Sequence, residues 1–170
     1  MDLAKLIRDV PDFPVEGILF KDITTLLQNA TAFREAVDAL AARFADYRID
    51  EVVAIESRGF VFGAPLAYKL GAGFVPVRKP GKLPAKTISV EYSLEYGTNV
   101  LEVHVDAIAP GQRVLLVDDL LATGGSARAA VELVQRLGGV VVGAAFLVEL
   151  EFLQGAKKLE GYDTFSLIRF

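Results

Sequence analysis

The chain contains no cysteine and a single histidine. The first absence excludes disulfides, thiolate catalysis and cysteine-ligated metals. The second excludes a multi-histidine metal centre. Long apolar runs are missing too. The most apolar stretch, around Val140–Val148, is far shorter than the ~20 residues a membrane helix needs. The N-terminus carries Asp2 among its first residues and no uninterrupted apolar signal segment. A soluble, cytoplasmic protein with no membrane partner is expected. There is no excess of positive charge either: the formal net charge is -4, which argues against nucleic acid as a partner of the whole surface. Basic residues gather only locally, at Arg78, Lys79, Lys82 and Lys86.

What is present is apolar. Hydrophobic residues make up 52% and charged residues 24%, which sets disordered and fibrous classes aside. A length of 170 residues suits one domain, spanning 1–170, around a single sizeable core. Strand-like apolar runs alternate with helical patterns, so the fold class is α/β, with an open, mostly parallel sheet flanked by helices. Phe33, Val37, Leu40 and Phe44 recur at helical spacing and predict a helix over about Ala32–Tyr47. Strands are predicted over Glu51–Glu56, Gly73–Val77, Arg113–Val117, Val140–Val148 and Phe165–Ile168, with further helices over about Val61–Leu70 and from Ala127 to Leu137. Thr87–Tyr92 and Val100–Val105 read as a hairpin, and Pro80–Lys86 as a loop rich in proline and lysine. His104 falls on the polar face of its strand and is assigned no catalytic role.

The most informative run is Val114-Leu115-Leu116-Val117-Asp118-Asp119-Leu120-Leu121-Ala122-Thr123-Gly124-Gly125-Ser126. A buried strand delivers two acids at its carboxyl end, and a loop of small residues then opens a helix. Ligands of open α/β sheets bind at such strand ends. Backbone N–H groups of Ala122, Thr123, Gly124, Gly125 and Ser126 can converge on a phosphate, helped by the helix N-terminus. Two carboxylates would repel that phosphate and need another partner. A ribose diol, with two adjacent O–H donors, is one that Asp118 and Asp119 can hold. Taken singly, Asp119 reads as a turn acid and Thr123 or Ser126 as a helix cap. The run as a whole describes a ribose-5-phosphate site.

Glu56-Ser57-Arg58-Gly59-Phe60 lies at another strand end before a helix. There, backbone N–H groups about Ser57 and the Arg58 guanidinium suit a pyrophosphate. Other nucleotide motifs fail: Gly71-Ala72-Gly73 is followed by Pro76 where a dinucleotide fingerprint needs glycine, and Gly81-Lys82 by Leu83 rather than Ser or Thr.

The Val114–Ser126 run resembles the PRPP-binding signature of the type I phosphoribosyltransferases at essentially every position. From about Ile7 onward the chain is similar to the adenine-specific members, through Asp12–Ile23, Glu56–Phe60, Val77–Pro84 and Tyr92–Gly97. The resemblance implies transfer of a 5-phosphoribosyl group from PRPP to adenine, with Mg²⁺ held mainly by PRPP and water. It also implies a homodimer, a base-covering hood over 1–30, and a mobile lid and hairpin over 78–100. Adenine would contact Leu19, Phe20, Lys21 and Leu121, with Phe20 stacking on the ring and the Leu19 backbone reading its edge. Adenine offers an N6 donor beside an N1 acceptor, and guanine or hypoxanthine would mismatch that backbone. Lys21 stands where many relatives carry Arg. Pyrophosphate would be held by Ser57, Arg58, Arg78, Lys79 and Lys82. Glu95 would act as general acid/base and Arg58 as its catalytic companion, and the Glu56–Ser57 peptide would be cis. Two alternatives stay open: another purine base on the same fold, or a PRPP-sensing regulator without catalysis. Such sensors usually add a DNA-binding module, for which this chain leaves little length.

Overall fold

Continuous apolar runs, buried on both sides, are what the inner strands of a parallel sheet require. The computed structural model describes residues 1–94 and 97–170. In chain order the elements begin with β1 (Arg8–Pro11), β2 (Leu19–Asp22), α1 (Thr24–Leu27) and α2 (Ala30–Phe44). Next come β3 (Glu51–Ile55), α3 (Gly59–Leu70), β4 (Gly73–Val77), β5 (Thr87–Leu94) and β6 (Gly97–His104). The chain finishes with β7 (Arg113–Leu121), α4 (Gly125–Arg136), β8 (Val140–Glu149) and β9 (Thr164–Arg169). Five strands form the central sheet in the order β4-β3-β7-β8-β9, and every neighbouring pair runs parallel. β1 and β2 make a separate antiparallel pair near the N-terminus, and β5 and β6 make another.

Successive side chains of a strand point to opposite faces, and here they divide the core in two. Val52, Ala54, Leu115, Val117, Ala145 and Leu147 pack with Leu40 and Phe44 of α2 and Phe62 and Leu66 of α3. Val53, Ile55, Val114, Leu116, Ala144 and Phe146 pack with Ala127, Ala130, Val131 and Val134 of α4 and with Val90, Leu101 and Val103 of the β5–β6 pair. Each fully buried valine, leucine, isoleucine or phenylalanine among them contributes about 1.5–3 kcal/mol. The Asn29 side chain accepts the Ala32 N–H and starts α2, and Gly71, with φ 67°, ends α3.

Two predicted boundaries move in ways that matter for the site. The strand expected to stop at Val117 continues to Leu121, so both aspartates lie inside β7. The ten-residue β8 supplies partners for this extension: Asp118 sits opposite Phe146, Leu120 opposite Val148 and Leu121 opposite Glu149. The hairpin strands are also longer than their alternation suggested. They are fastened to the end of β4, where the Arg78 N–H donates to the Glu102 carbonyl at 3.0 Å and the Glu102 N–H to the Arg78 carbonyl at 2.7 Å. His104 accepts the Ala85 N–H on Nε2, which ties the basic loop to β6.

Candidate active site

β3 lies between β4 and β7 in the sheet. The chain leaves β3 for β4 through α3 on one face, and leaves β7 for β8 through α4 on the other. The carboxyl ends of β3 and β7 therefore flank a switch point, where the two following loops diverge and leave a crevice. A pocket of about 400 Å³ opens there. Its walls include Ser57, Arg58, Asp118, Asp119, Leu121, Ala122, Thr123, Gly124 and Ser126, all singled out in the sequence, together with Lys79.

The two carboxylates are buried, at 8% exposure for Asp118 and 6% for Asp119. The Asp119 N–H donates to Asp118 Oδ1 at 2.8 Å, and Arg58 Nε donates to Asp119 Oδ2 at 2.7 Å. Burial first, and then the neighbouring Asp119 charge, push the Asp118 carboxyl well above the usual 3.8. For Arg58, burial opposes the charged form, but the Asp119 and Asp118 carboxylates outweigh it and raise its affinity for the proton. Gly59 lets α3 begin directly against this pair: a Cβ there would lie 2.9 Å from Asp118 Oδ1. Apposed like charges are tolerable only when a cation and an incoming donor share them. Arg58 supplies the cation, and a diol would supply the donors.

Beyond Leu121 the loop turns into α4. Its N-cap is Gly124, at φ 86°, and no side chain caps the helix. The Thr123 and Ser126 hydroxyls therefore do not serve as caps, and the first N–H groups of α4 remain available to an anion. Gly125 does not itself line the pocket, and a Cβ there would lie 3.1 Å from the Tyr92 ring.

Two of the cations named for pyrophosphate, Arg78 and Lys82, and the backbone of Lys79 are gathered by a residue the sequence reading gave no role. Glu56, with a side chain 8% exposed, accepts Arg78 Nε at 3.1 Å, the Lys79 N–H at 2.8 Å and Lys82 Nζ at 3.3 Å. Burial tends to raise the Glu56 carboxyl, but the Lys79 N–H and the Lys82 ammonium outweigh it and hold it below the usual carboxylate range. Arg58 and Lys79 reach the main pocket, whereas Arg78 and Lys82 do not line it. The Glu56–Ser57 peptide bond is cis, as is Phe13–Pro14. Tyr92 and Asn99, partners across the β5–β6 pair, also line the pocket. Their spacing alone gives no hint of it, because only the strand register brings them together. Glu95, the expected acid/base, lies outside the described residues.

At the N-terminal pair, Phe20 meets Phe13 edge-on with ring centroids 5.1 Å apart, and both line a cavity of about 240 Å³ with Val10 and Asp22. The Arg58 guanidinium, in the wall of the main pocket, stands 5.8 Å from the Phe20 ring centroid. Leu121 is buried in the wall of the main pocket. Lys21 is engaged elsewhere: its Nζ donates to Asp9 at 2.6 Å and lies 4.0 Å from the Phe170 ring centroid. The Leu19 side chain is exposed, and its strand partner Pro11 has no N–H to donate. Among the described residues, no three acidic or histidine side chains form a metal-binding group, and no helix is long and apolar enough to cross a membrane.

A switch-point pocket with an open helix N-terminus, a buried acid pair and adjacent arginine is the architecture of a phosphoribosyl-transferring enzyme. The phosphoribosyl transferase domain model matches residues 22–168, and the chain belongs to that family. Among its relatives within the family are adenine phosphoribosyltransferases. The enzyme of Roseiflexus sp. is 59% identical over 169 residues, covering 99% of this chain and 98% of its own. The crystal structure of the Thermoanaerobacter pseudethanolicus enzyme superposes with a TM-score of 0.97 at 58% identity, covering 99% of this chain and 98% of the other. That of the Saccharomyces cerevisiae enzyme, complexed with adenine and an imino-altritol bisphosphate, gives 0.92 at 44% identity, covering 98% and 96%.

Proposed function

We propose that this chain transfers the 5-phosphoribosyl group of PRPP to N9 of adenine, forming AMP and pyrophosphate in purine salvage. One observation carries the reading: a single pocket at the switch point gathers Ala122, Thr123, Gly124 and Ser126, the Asp118–Asp119 pair, and Arg58 with Lys79. Those are the partners that a 5′-phosphate, a ribose diol and a pyrophosphate require. The yeast relative complexed with adenine supports the choice of base.

In this mechanism the N–H groups of Ala122–Ser126 take the 5′-phosphate, and Asp118 and Asp119 accept the diol hydroxyls. Ser57, Arg58 and Lys79 bind pyrophosphate, and Arg78 and Lys82 exchange Glu56 for it as the 78–100 lid closes. The C1–O bond breaks first, its electron pair leaving with pyrophosphate, and the cations stabilise that charge. N9 of adenine then bonds to C1 of the oxocarbenium-like ribose, and Glu95 takes the N9 proton. Closure excludes water, which would otherwise capture the sugar. Phe20 stacks on the base, Leu121 and the Leu19 backbone border it, and Lys21 supports the hood from its Asp9 contact. The buried acids are already engaged with Arg58 and with each other, which fits Mg²⁺ bound mainly through PRPP oxygens and water and supplying further charge neutralisation to pyrophosphate. The chain acts as one domain over 1–170, with residues 1–30 as hood. We read it as a cytoplasmic homodimer.

The test offers adenine, hypoxanthine, guanine and xanthine separately to the purified protein with PRPP and Mg²⁺, followed by chromatography. AMP from adenine alone is expected. A nucleotide from a different base would keep the PRPP chemistry and overturn the edge-reading role of Leu19. No product with any base, despite PRPP binding, would point to a sensor.

A further inference from the structure

The connection between β8 and β9 has no crossover helix. It runs through two short 3-10 turns, Glu151–Leu153 and Gly155–Leu159. Its start is fixed to the end of β7, where the Leu150 N–H donates to the Leu121 carbonyl at 3.0 Å. Its end is fixed by Leu159, buried in the same cluster as Ala127 and Val131 of α4. Between the turns Gln154 adopts φ 55°, and this bend lays the backbone of Gly155 against the back of the Ala122–Gly124 loop. The contact is closer than any side chain allows. A Cβ at Gly155 would stand 2.3 Å from the Ala122 carbonyl oxygen and 3.0 Å from the Gly124 nitrogen. A Cβ at Gly124 would stand 2.5 Å from the Gly155 carbonyl oxygen.

The geometry points to Gly155 as a positioning residue for PRPP: its bare backbone is the wall that aims the Ala122–Gly124 peptide N–H groups at the 5′-phosphate. This rests on the reading of Ala122–Ser126 as the phosphate loop. Carbon–oxygen contacts begin near ~3.3 Å, so a methyl group at 155 must push the Ala122 carbonyl back by roughly 1 Å. A displacement on the order of 1 Å is enough to cost on the order of 100-fold in a preorganised site. The diol carboxylates and Leu121, which borders adenine, sit upstream in β7, held by its pairing with β8, and the other adenine contacts come from the N-terminal pair. The loss therefore falls on PRPP rather than on the base.

Gly155→Ala is compared with the parent and with Gly161→Ala. Gly161, at φ 92° with open space around it, is a control in which the added methyl strains its own backbone without touching the loop. Gly155→Ala is expected to raise the KM for PRPP by about 10- to 100-fold and leave the KM for adenine within about twofold. Gly161→Ala is expected to lower only the thermal midpoint. A PRPP KM equal in the two variants overturns the assignment. A second measurement needs no variant: the parent is titrated with ribose 5-phosphate while backbone amide resonances are followed. Shifts at Ala122–Ser126 accompanied by shifts at Gln154–Ala156 support the wall. Shifts in the loop without shifts at Gln154–Ala156 overturn it. No shift in the loop at all refutes the phosphate-loop reading itself, so the two failures are told apart.

Discussion

Replacing both buried acids, Asp118→Asn with Asp119→Asn, separates ligand binding from folding. Each ribose hydroxyl donates to a carboxylate in the proposed complex, and a hydrogen bond to a charged group contributes about 1.5–3 kcal/mol. Asn keeps an acceptor oxygen but not the charge, so each bond falls to about 0.5–1.5 kcal/mol. The two together lose about 2–3 kcal/mol, and at about 1.4 kcal/mol per decade PRPP affinity falls roughly 30- to 150-fold. The fold should tolerate the change. Asn at 118 relieves a site where burial already disfavours the ionised acid. Arg58 keeps an amide oxygen to donate to at position 119, and its guanidinium is 47% exposed, so water screens much of the lost charge. The assay is isothermal titration with PRPP and Mg²⁺, alongside a thermal melt of both proteins. The expected result is a melt close to that of the parent and PRPP binding weakened at least about 30-fold. A double variant that binds PRPP within about threefold of the parent, a difference of only about 0.6 kcal/mol, would refute the diol assignment.

Two further outcomes follow from other parts of the chain. Glu95→Gln is expected to lower kcat on the order of 10²–10⁴-fold while leaving PRPP affinity unchanged. Steady-state kinetics with a parallel binding titration reads both, and an unchanged kcat would remove Glu95 from the proton transfer. Asp22 is held down to about 2 by the Thr24 hydroxyl, the Thr24 N–H and Arg8. Its folded value lies below the ordinary 3.8, so its contribution is fully present above 3.8 and fades as pH falls toward about 2. The difference in thermal midpoint between the parent and Asp22→Asn should therefore be widest near neutrality and vanish at the acid end. A difference constant across the whole range would show that Asp22 acts through shape rather than charge.

The parts of the site legible in the sequence are those built within one short segment. Val114–Val117 had to be a buried strand because every residue is apolar, and Asp118 through Ser126 follow it without interruption, so the order acid pair, small-residue loop, helix is local. Arg58 was legible for the same reason, being one turn beyond β3. The reach of β7 to Leu121 was not, because two aspartates look like a strand end until the ten-residue β8 is found to pair alongside them. Glu56 escaped notice because its partners Arg78, Lys79 and Lys82 come from a later loop that only the β3–β4 pairing carries back to it. Lys21 was assigned to the base by resemblance alone, and the structure shows its ammonium held by Asp9 across the β1–β2 pair and by Phe170 at the far end of the chain.

Periodicity and local chemistry thus determined the class of the fold, the strand that carries the acids and the loop offered to a phosphate. Hydrophobic alternation and small-residue turns act over a few residues and are written directly in the chain. Tertiary structure alone decided which strands are neighbours, and with that the switch point, the Arg58–Asp119 pair, the hold of Glu56 on the basic loop, and the seat of Gly155 behind Ala122–Gly124. Each of these is a contact between segments distant in sequence, fixed by packing on the two faces of one sheet. The residue identities permit such contacts, but only the register and layering of the elements bring them about.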